Sequence, residues 1–544
     1  MSAPSHKAPC SRLVIVVVLV VVIFVSGLCA VMASPTPMTT TRTSTAETTS
    51  SLPPMANPLC TAAPCAPMIT SWLHTNSSGA GVYDGNGHSV PLAGVDVDGL
   101  DFGTGNPVSH PDSCGKGWSI ASTSFTNVAS WGFNSVRIPI SWENLEPTAP
   151  SQASNGTWIP TWNTAYLREL DTFVALFGKS HIAVIFDFAQ VDVSGAFKMA
   201  PEKVQGGECE GWGNPTWLYP GVTSPTTSQE LATAMCNFFN DKSMVGSRAP
   251  LPIEAMEMAE KMLAARYADD PTVVGIDMFN EPWFTSTCGT TAQEGTLLTS
   301  FYTRMGQAIA EANPHVILIF EDSVPGLMPS APIIASPPSV SNSMYEFHIY
   351  TSDWTTAQPY VRAFLSAAKG FGVPAWMGEF DAFEAGCTGV SCKLDPHWQA
   401  DTEAILSFCD SHGIGWAFFS YYSLGTPLRT PVSHSKILVV LRSEIPAASP
   451  MAVSCKPTSV AVGSSTTCKA TVTGFEPTGK IAWQTSGGGK FSRASCTLSK
   501  GSCSVSYTPT ASNSPVYLDA KYSGDGHNPP LSEFYMLEVT LRHS

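Results

Sequence analysis

Between residues 70 and 445 the chain repeats one pattern: a short apolar run, then a longer stretch whose apolar positions recur at helical spacing. The runs are LAGVDV (92–97), SVRIPI (135–140), IAVIFDF (182–188), VVGIDMF (273–279), VILIF (316–320), MYEFHI (344–349), AWMGEF (375–380) and IGWAFFS (414–420). They are continuous rather than alternating, which marks strands covered on both faces. The stretches TAYLRELDTFVALFG (164–178), IEAMEMAEKMLAARYA (253–268) and LLTSFYTRMGQAIAEA (297–312) read as amphipathic helices between them. Eight strands alternating with helices predict an α/β fold, a (β/α)8 TIM barrel with insertions. An open doubly wound sheet is the competitor, but no glycine-rich phosphate turn follows any strand, which favours the barrel.

The pattern changes at both ends. From about residue 448 the helical periodicity stops. Short strands such as TTCKATVTG, KIAWQTSGGG and SCSVSYTP follow at regular spacing, predicting a small all-β sandwich with Trp483 in its core. At the other end, residues 13–33 carry no charge and follow Lys7 and Arg12. They fit a signal peptide or a membrane anchor, and either sends the rest of the chain outside the cell. Residues 34–55 are rich in Ser, Thr and Pro and read as a solvated stalk. The expected layout is an apolar segment (1–33), a linker (34–65), a barrel (66–445) and a sandwich (448–544).

Composition narrows the possibilities. With 43% hydrophobic and 13% charged residues the chain is globular, and a formal charge of -15 without any basic stripe argues against a nucleic-acid partner. An extracellular address makes the cysteines a disulfide question. Close-spaced candidates are Cys60 with Cys65, Cys387 with Cys392, Cys455 with Cys468, and Cys496 with Cys503. Cys114, Cys209, Cys236, Cys288 and Cys409 remain, an odd set, so at least one thiol is free or pairs between chains. The spacings lack the paired CxxC or histidine pattern of a zinc site. Asn76 and Asn155 begin N-glycosylation patterns.

In a barrel of this kind the chemistry gathers where strands end. Arg137 lies on the second strand. Asn280 and Glu281 end the fourth, His348 and Tyr350 the sixth, Glu379 sits on the seventh and Trp416 on the eighth. One polar residue on a buried strand is ordinary. Several converging on one rim would each cost about 1–3 kcal/mol if left unpaired, so their gathering calls for a reason. Glu281 and Glu379, on different strands, form the carboxylate pair that glycoside hydrolysis requires: one protonates the leaving oxygen and the other attacks the anomeric carbon.

These stretches, FNEPW, VRIPISW, FHIY, MGEF and GWAFFSYYS in that arrangement, resemble glycoside hydrolase family 5, over about residues 70 to 440. VYDGNGHSVPLAGVDVDG (82–99) resembles that family's opening hairpin and first strand. The resemblance implies Glu281 as general acid/base and Glu379 as nucleophile. It implies Asn280 on the sugar 2-hydroxyl, Arg137 and Tyr350 holding Glu379 ionised, His348 beside the pair, and Trp416 as a stacking floor. It implies no metal or organic cofactor. One departure stands out: FDFAQVD places Ala189 where the family usually has a histidine, with Gln190 or Asp192 as the neighbours able to compensate. The insertion at 206–241, with Trp212, Trp217 and Tyr219, resembles the corresponding loop of endoglycoceramidase-like members. Trp118, Trp142, Trp212, Trp283 and Trp354 are either stacking platforms or packing. The C-terminal segment, with YSGDGHNP, resembles bacterial-type immunoglobulin-like repeats. The expected function is a secreted or membrane-anchored retaining endo-β-glycosidase acting on a β-1,4-glucan such as cellulose. The alternatives are an endoglycoceramidase-like or other β-glycosidase, and a catalytically weak carbohydrate-binding or adhesion protein.

Overall fold

The computed structural model describes residues 57, 59–60, 65–75, 81–85, 88–101, 124–190, 193–197, 213–222, 227–245, 248–284, 287–323, 331–350, 353–383, 394–424, 435–445, 451–472, 477–512, 516–525 and 531–541. The apolar segment 13–33, the stretch 34–55, Asn76, Trp118, Asp192, Trp212, Cys114, Cys209, Cys387 and Cys392 lie outside the described residues. Among the described residues, no helix is long and apolar enough to cross a membrane.

A hairpin of β1 (Leu73–Thr75) and β2 (Val82–Asp84) opens the described chain. The barrel follows: β3 (Ala93–Asp96), β4 (Ser135–Ser141), β7 (Ala183–Ala189), β8 (Val273–Asp277), β9 (Ile317–Glu321), β10 (Ser343–Ile349), β11 (Ala375–Phe380) and β12 (Gly415–Phe418). A short exposed hairpin, β5 (Ser151–Gln152) and β6 (Trp158–Ile159), sits between β4 and β7, with Asn155 exposed at its turn. The eight barrel strands pair in parallel and close in the order β10-β11-β12-β3-β4-β7-β8-β9. All eight expected strands are present, and the helices Thr164–Lys179, Pro252–Arg266 and Thr291–Ala312 fall where periodicity placed them.

Strand alternation sorts the side chains into layers. Outward residues such as Val136, Ile138, Phe186, Tyr345 and Phe418 meet the helices in the main hydrophobic cluster. Ala183, Ile185, Val274, Ile317, Ile319, Met344, Trp376 and Ala417 join Leu73, Val82 and Leu92 from the opening hairpin region in a second cluster, which makes the lower barrel apolar. Above it the inward residues become charged.

The C-terminal region holds two sheets. One runs β13-β15-β19-β17 and the other β14-β21-β20-β16-β18, with β13 (Met451–Lys456), β14 (Ser459–Ala461), β15 (Thr466–Val472), β16 (Lys480–Thr485), β17 (Gly489–Phe491), β18 (Ser495–Thr497), β19 (Ser502–Pro509), β20 (Val516–Tyr522) and β21 (Leu531–Thr540). Both contribute to one apolar cluster that includes Trp483. Cys496–Cys503 links β18 of one sheet to β19 of the other, while Cys455–Cys468 crosses adjacent strands of one sheet. Cys60–Cys65 also forms as expected, and two of the cysteines left over pair as Cys236–Cys288. Cys409 is the free, buried thiol among the described residues.

Candidate active site

Arg137 organises the barrel's upper interior. It points inward from β4 and is fully buried. Its Nη1 lies 2.6 Å from Glu379 Oε1 and 3.2 Å from Asp96 Oδ1. Its Nη2 lies 2.6 Å from Asp277 Oδ2 and 2.8 Å from Asn280 Oδ1. Asp187 and Glu346 each bring a carboxylate oxygen to 3.3 Å. A planar guanidinium can serve several acceptors at once, which suits this position to arginine.

One cation cannot neutralise five buried carboxylates, so they do not all ionise together. Burial raises Asp96 and Asp187 well above the usual carboxylate range, although Arg137 pulls both down. Burial likewise pushes Glu346 up to about 8. Glu379 goes the other way. Burial alone would raise it, but the charges of His348 and Arg137, with hydrogen bonds from Tyr350 and Arg137, outweigh burial and lower its pKa. Glu379 is therefore held as an anion.

The position of Glu379 depends on an irregularity. Opposite β10 the register of β11 slips between Phe347, paired with Met377, and His348, paired with Glu379. Gly378 is the extra residue, and such bulges re-aim side chains beside active sites. A Cβ on Gly378 would stand 1.5 Å from Glu346 Oε1, so only glycine leaves that carboxyl its place.

Opposite Glu379 stands Glu281. His348 Nδ1 lies 2.8 Å from Glu281 Oε1, and its Nε2 lies 3.2 Å from Glu346 Oε1. Burial opposes a charged imidazole, but Glu321, Glu379, Glu281 and Glu346 together raise its pKa well above the ordinary histidine value. Tyr350 donates its hydroxyl to Glu379 Oε2. Oxygens of Glu281 and Glu379 and a nitrogen of His348 all lie within 4.8 Å of one another. That spacing could accommodate a cation. However, Glu379 already accepts from Arg137 and Tyr350, and both ring nitrogens of His348 face carboxylates, so binding one would dismantle the network. As it stands the pair is asymmetric: Glu379 is held as an anion, and the Glu281 carboxyl facing it is more exposed.

A match to the family described as Cellulase (glycosyl hydrolase family 5) spans residues 95–425. The chain belongs to glycoside hydrolase family 5. It is a glycosyl hydrolase. The fold of this family 5 hydrolase is similar to a crystal structure of endogalactoceramidase, with 18% identity over 86% of this chain and 100% of that one and a TM-score of 0.51. It is also similar to endo-glycoceramidase II from Rhodococcus sp. in a ganglioside GM3 complex, with 17% identity over 79% of this chain and 99% of that one and a TM-score of 0.51.

Six of the seven expected site residues of the family 5 hydrolase come together: Arg137, Asn280, Glu281, His348, Tyr350 and Glu379. Trp416 does not. It points outward from β12 with no exposed surface, packed edge-on against Phe133 and Phe380. Ala417 takes the inward position, so Phe419, two residues on, is the aromatic that faces the mouth. Phe419 is half-buried, its ring 6.3 Å from that of Tyr350 and edge-on to it. Trp416 is therefore not placed to form the expected stacking floor. Among the candidate platforms, Trp142 is buried and donates to Glu146, and Trp354 packs on Phe408. Both are packing residues. Trp283 is half-buried against the main cluster.

Ala189 ends β7 on the inward face and is buried. Gln190 does not substitute for an imidazole there. Its amide nitrogen donates to the carbonyls of Asn280 (2.8 Å) and Glu281 (2.9 Å). The buried acids Asp96, Asp277, Glu321 and Glu346 went unnoticed in the sequence. Each is an acid inside an apolar strand, the same signal that marks Glu379.

Proposed function

We propose that the protein is a retaining endo-β-glycosidase that acts by double displacement. Glu379 attacks the anomeric carbon, and Glu281 protonates the leaving oxygen and then activates water. The observation that carries this reading is the asymmetry of the pair: Glu379 is held ionised by Arg137, His348 and Tyr350, within 4.8 Å of a second carboxyl. Retaining enzymes keep their carboxyl groups about 5–5.5 Å apart, leaving no room for a water between nucleophile and sugar. In this reading Asn280, fixed on Arg137, meets the sugar 2-hydroxyl, and Phe419 meets its apolar face.

For substrate we propose a β-linked glycoconjugate, with a glycosphingolipid first. The support is that endoglycoceramidase folds match this chain over 99–100% of their own length. A β-1,4-glucan is the second reading, supported by the cellulase description of the family match. The C-terminal sheets are read as an immunoglobulin-like module. The setting is read as extracellular, whether secreted or anchored, because disulfides such as Cys455–Cys468 persist in oxidising compartments.

The test is a substrate panel of GM3-type glycosphingolipid, cellulose oligomers, xylan and mannan, with Glu379→Gln and Glu281→Gln alongside. The expected result is cleavage by the wild type with net retention, lost in Glu379→Gln. Equal turnover by the wild type and both variants on every substrate would end the proposal.

A further inference from the structure

Glu281 has a backbone φ of +45°, in the left-handed region that non-glycine residues rarely enter. Such residues persist only where the surroundings over-determine them. Here the surroundings are two side chains, one from each strand flanking β8. Glu321, at the end of β9, accepts the Glu281 backbone N–H at 2.5 Å. Gln190, just past β7, caps the carbonyls of both Asn280 and Glu281 with one amide nitrogen. Gln190 is itself fixed: its Oε1 accepts from Val193 N at 2.9 Å, and its own carbonyl accepts from Asn280 Nδ2 at 3.2 Å. Glu321 is wholly buried, and its other oxygen stands 3.4 Å from His348 Nδ1, the atom that meets the Glu281 carboxyl.

We propose that Glu321 and Gln190 are positioning residues for Glu281. They hold its backbone in the left-handed turn, so that its carboxyl meets His348 and faces Glu379 rather than leaving with the chain at Pro282. The proposal rests on the reading of Glu281 as acid/base. Neither residue needs to touch substrate. Burial raises the Glu321 carboxyl well above the ordinary range, countered in part by His348, and its task at the Glu281 N–H is that of an acceptor.

A displaced acid shows itself through the leaving group. An aglycone of low basicity departs without protonation and an alkoxide does not, whereas a merely structural lesion affects both alike. The experiment measures kcat/KM, which reports the first chemical step, on 2,4-dinitrophenyl and octyl β-cellobioside, with the matching β-lactosides as a second series. Glu321→Ala and Gln190→Ala are each expected to lose about 100-fold on the octyl glycoside, the scale of a group misplaced by an ångström. Both are expected to stay within about fivefold of wild type on the dinitrophenyl glycoside, where the acid's contribution is not needed. Glu321→Gln keeps an acceptor oxygen at the same reach and should restore the octyl activity to within about tenfold. Should Glu321→Ala not fold, Glu321→Asp, one methylene short of the N–H, carries the same comparison. Glu281→Gln runs beside them. If Glu281→Gln shows the leaving-group split and the Glu321 and Gln190 variants lose both substrates equally, or neither, the positioning role is overturned. If Glu281→Gln shows no split, or the wild type cleaves neither series, the acid/base reading fails and the proposal falls with it.

Discussion

Gly378→Ala is the smallest change that should disturb the whole site. The backbone at Gly378 does not occupy the left-handed region, so space alone forbids a side chain there. The new methyl would lie 1.5 Å from Glu346 Oε1, and real Cβ contacts essentially never fall below 3.0 Å. The carboxyl must therefore retreat by roughly 1.5 Å, the shortfall between those two distances. The same oxygen lies 3.2 Å from His348 Nε2 and 3.3 Å from Arg137 Nε, and the retreat abandons both. Overpacking costs about 1–3 kcal/mol, and a lost hydrogen bond to a charged group about 1.5–3 kcal/mol. A destabilisation of about 3–5 kcal/mol is expected, with loss of activity, because His348 then has one fixed partner fewer. The assay is denaturant unfolding followed by tryptophan fluorescence, comparing the midpoint of the barrel transition, since a chain with two folded parts need not unfold in one step. A second variant locates the cause. In Gly378→Ala/Glu346→Ala the colliding oxygen is gone, so the double variant should be more stable than the two single changes predict, by at least about 1 kcal/mol. Additive effects, or a Gly378→Ala protein with wild-type stability and activity, would refute the placement of Glu346 beneath this bulge.

Two further outcomes follow from the same geometry. Phe419→Ala should raise KM while leaving the unfolding midpoint near wild type, whereas Trp416→Ala should cost about 3–5 kcal/mol of stability as a core truncation; the reverse pattern would return the stacking role to Trp416. On the proposed double-displacement reading Glu379 must be ionised to attack, and its lowered pKa keeps activity present to acidic pH, with loss only as pH falls through that value. Tyr350→Phe removes one of the bonds that lower it, so the acid limb of the kcat/KM profile should move upward, and an unmoved limb would assign that limb to another group.

The barrel was legible because strands covered on both faces leave unbroken apolar runs, and β4, β7, β8, β9, β10 and β11 are buried along their whole length. The helices were legible from periodicity, and their ends from turn chemistry: Thr290 and Gln293 form a capping box one turn before the stretch assigned by apolar spacing alone. The hold of Gln190 on two carbonyls was not legible, since a glutamine beyond a strand end says nothing about which backbone it will reach.

The misplacement of Trp416 has a more specific cause. Which residues of a strand face the barrel interior is a question of parity, and parity needs one known inward residue. Most strands carry their own marker: Asp96, Arg137, Asp187, Asp277, Glu321 and Glu346 are ionisable groups in apolar runs, and all of them point inward toward one another. In β11 the marker is Glu379, and it also betrays the bulge. Counting by twos from inward Trp376 would send Glu379 outward, so an inward glutamate at that position requires an extra residue, and Gly378 is where it fits. Strand β12 alone has no such marker. Gly415, Trp416, Ala417 and Phe418 offer no charge to set the count, and the family resemblance alone put the expected floor on Trp416, an outward position. Pairing supplies what composition lacks: Ala417 stands opposite Gly94, the inward residue two before Asp96, so the marker on β3 fixes the phase of β12 as well. Carried two residues further, that phase reaches Phe419.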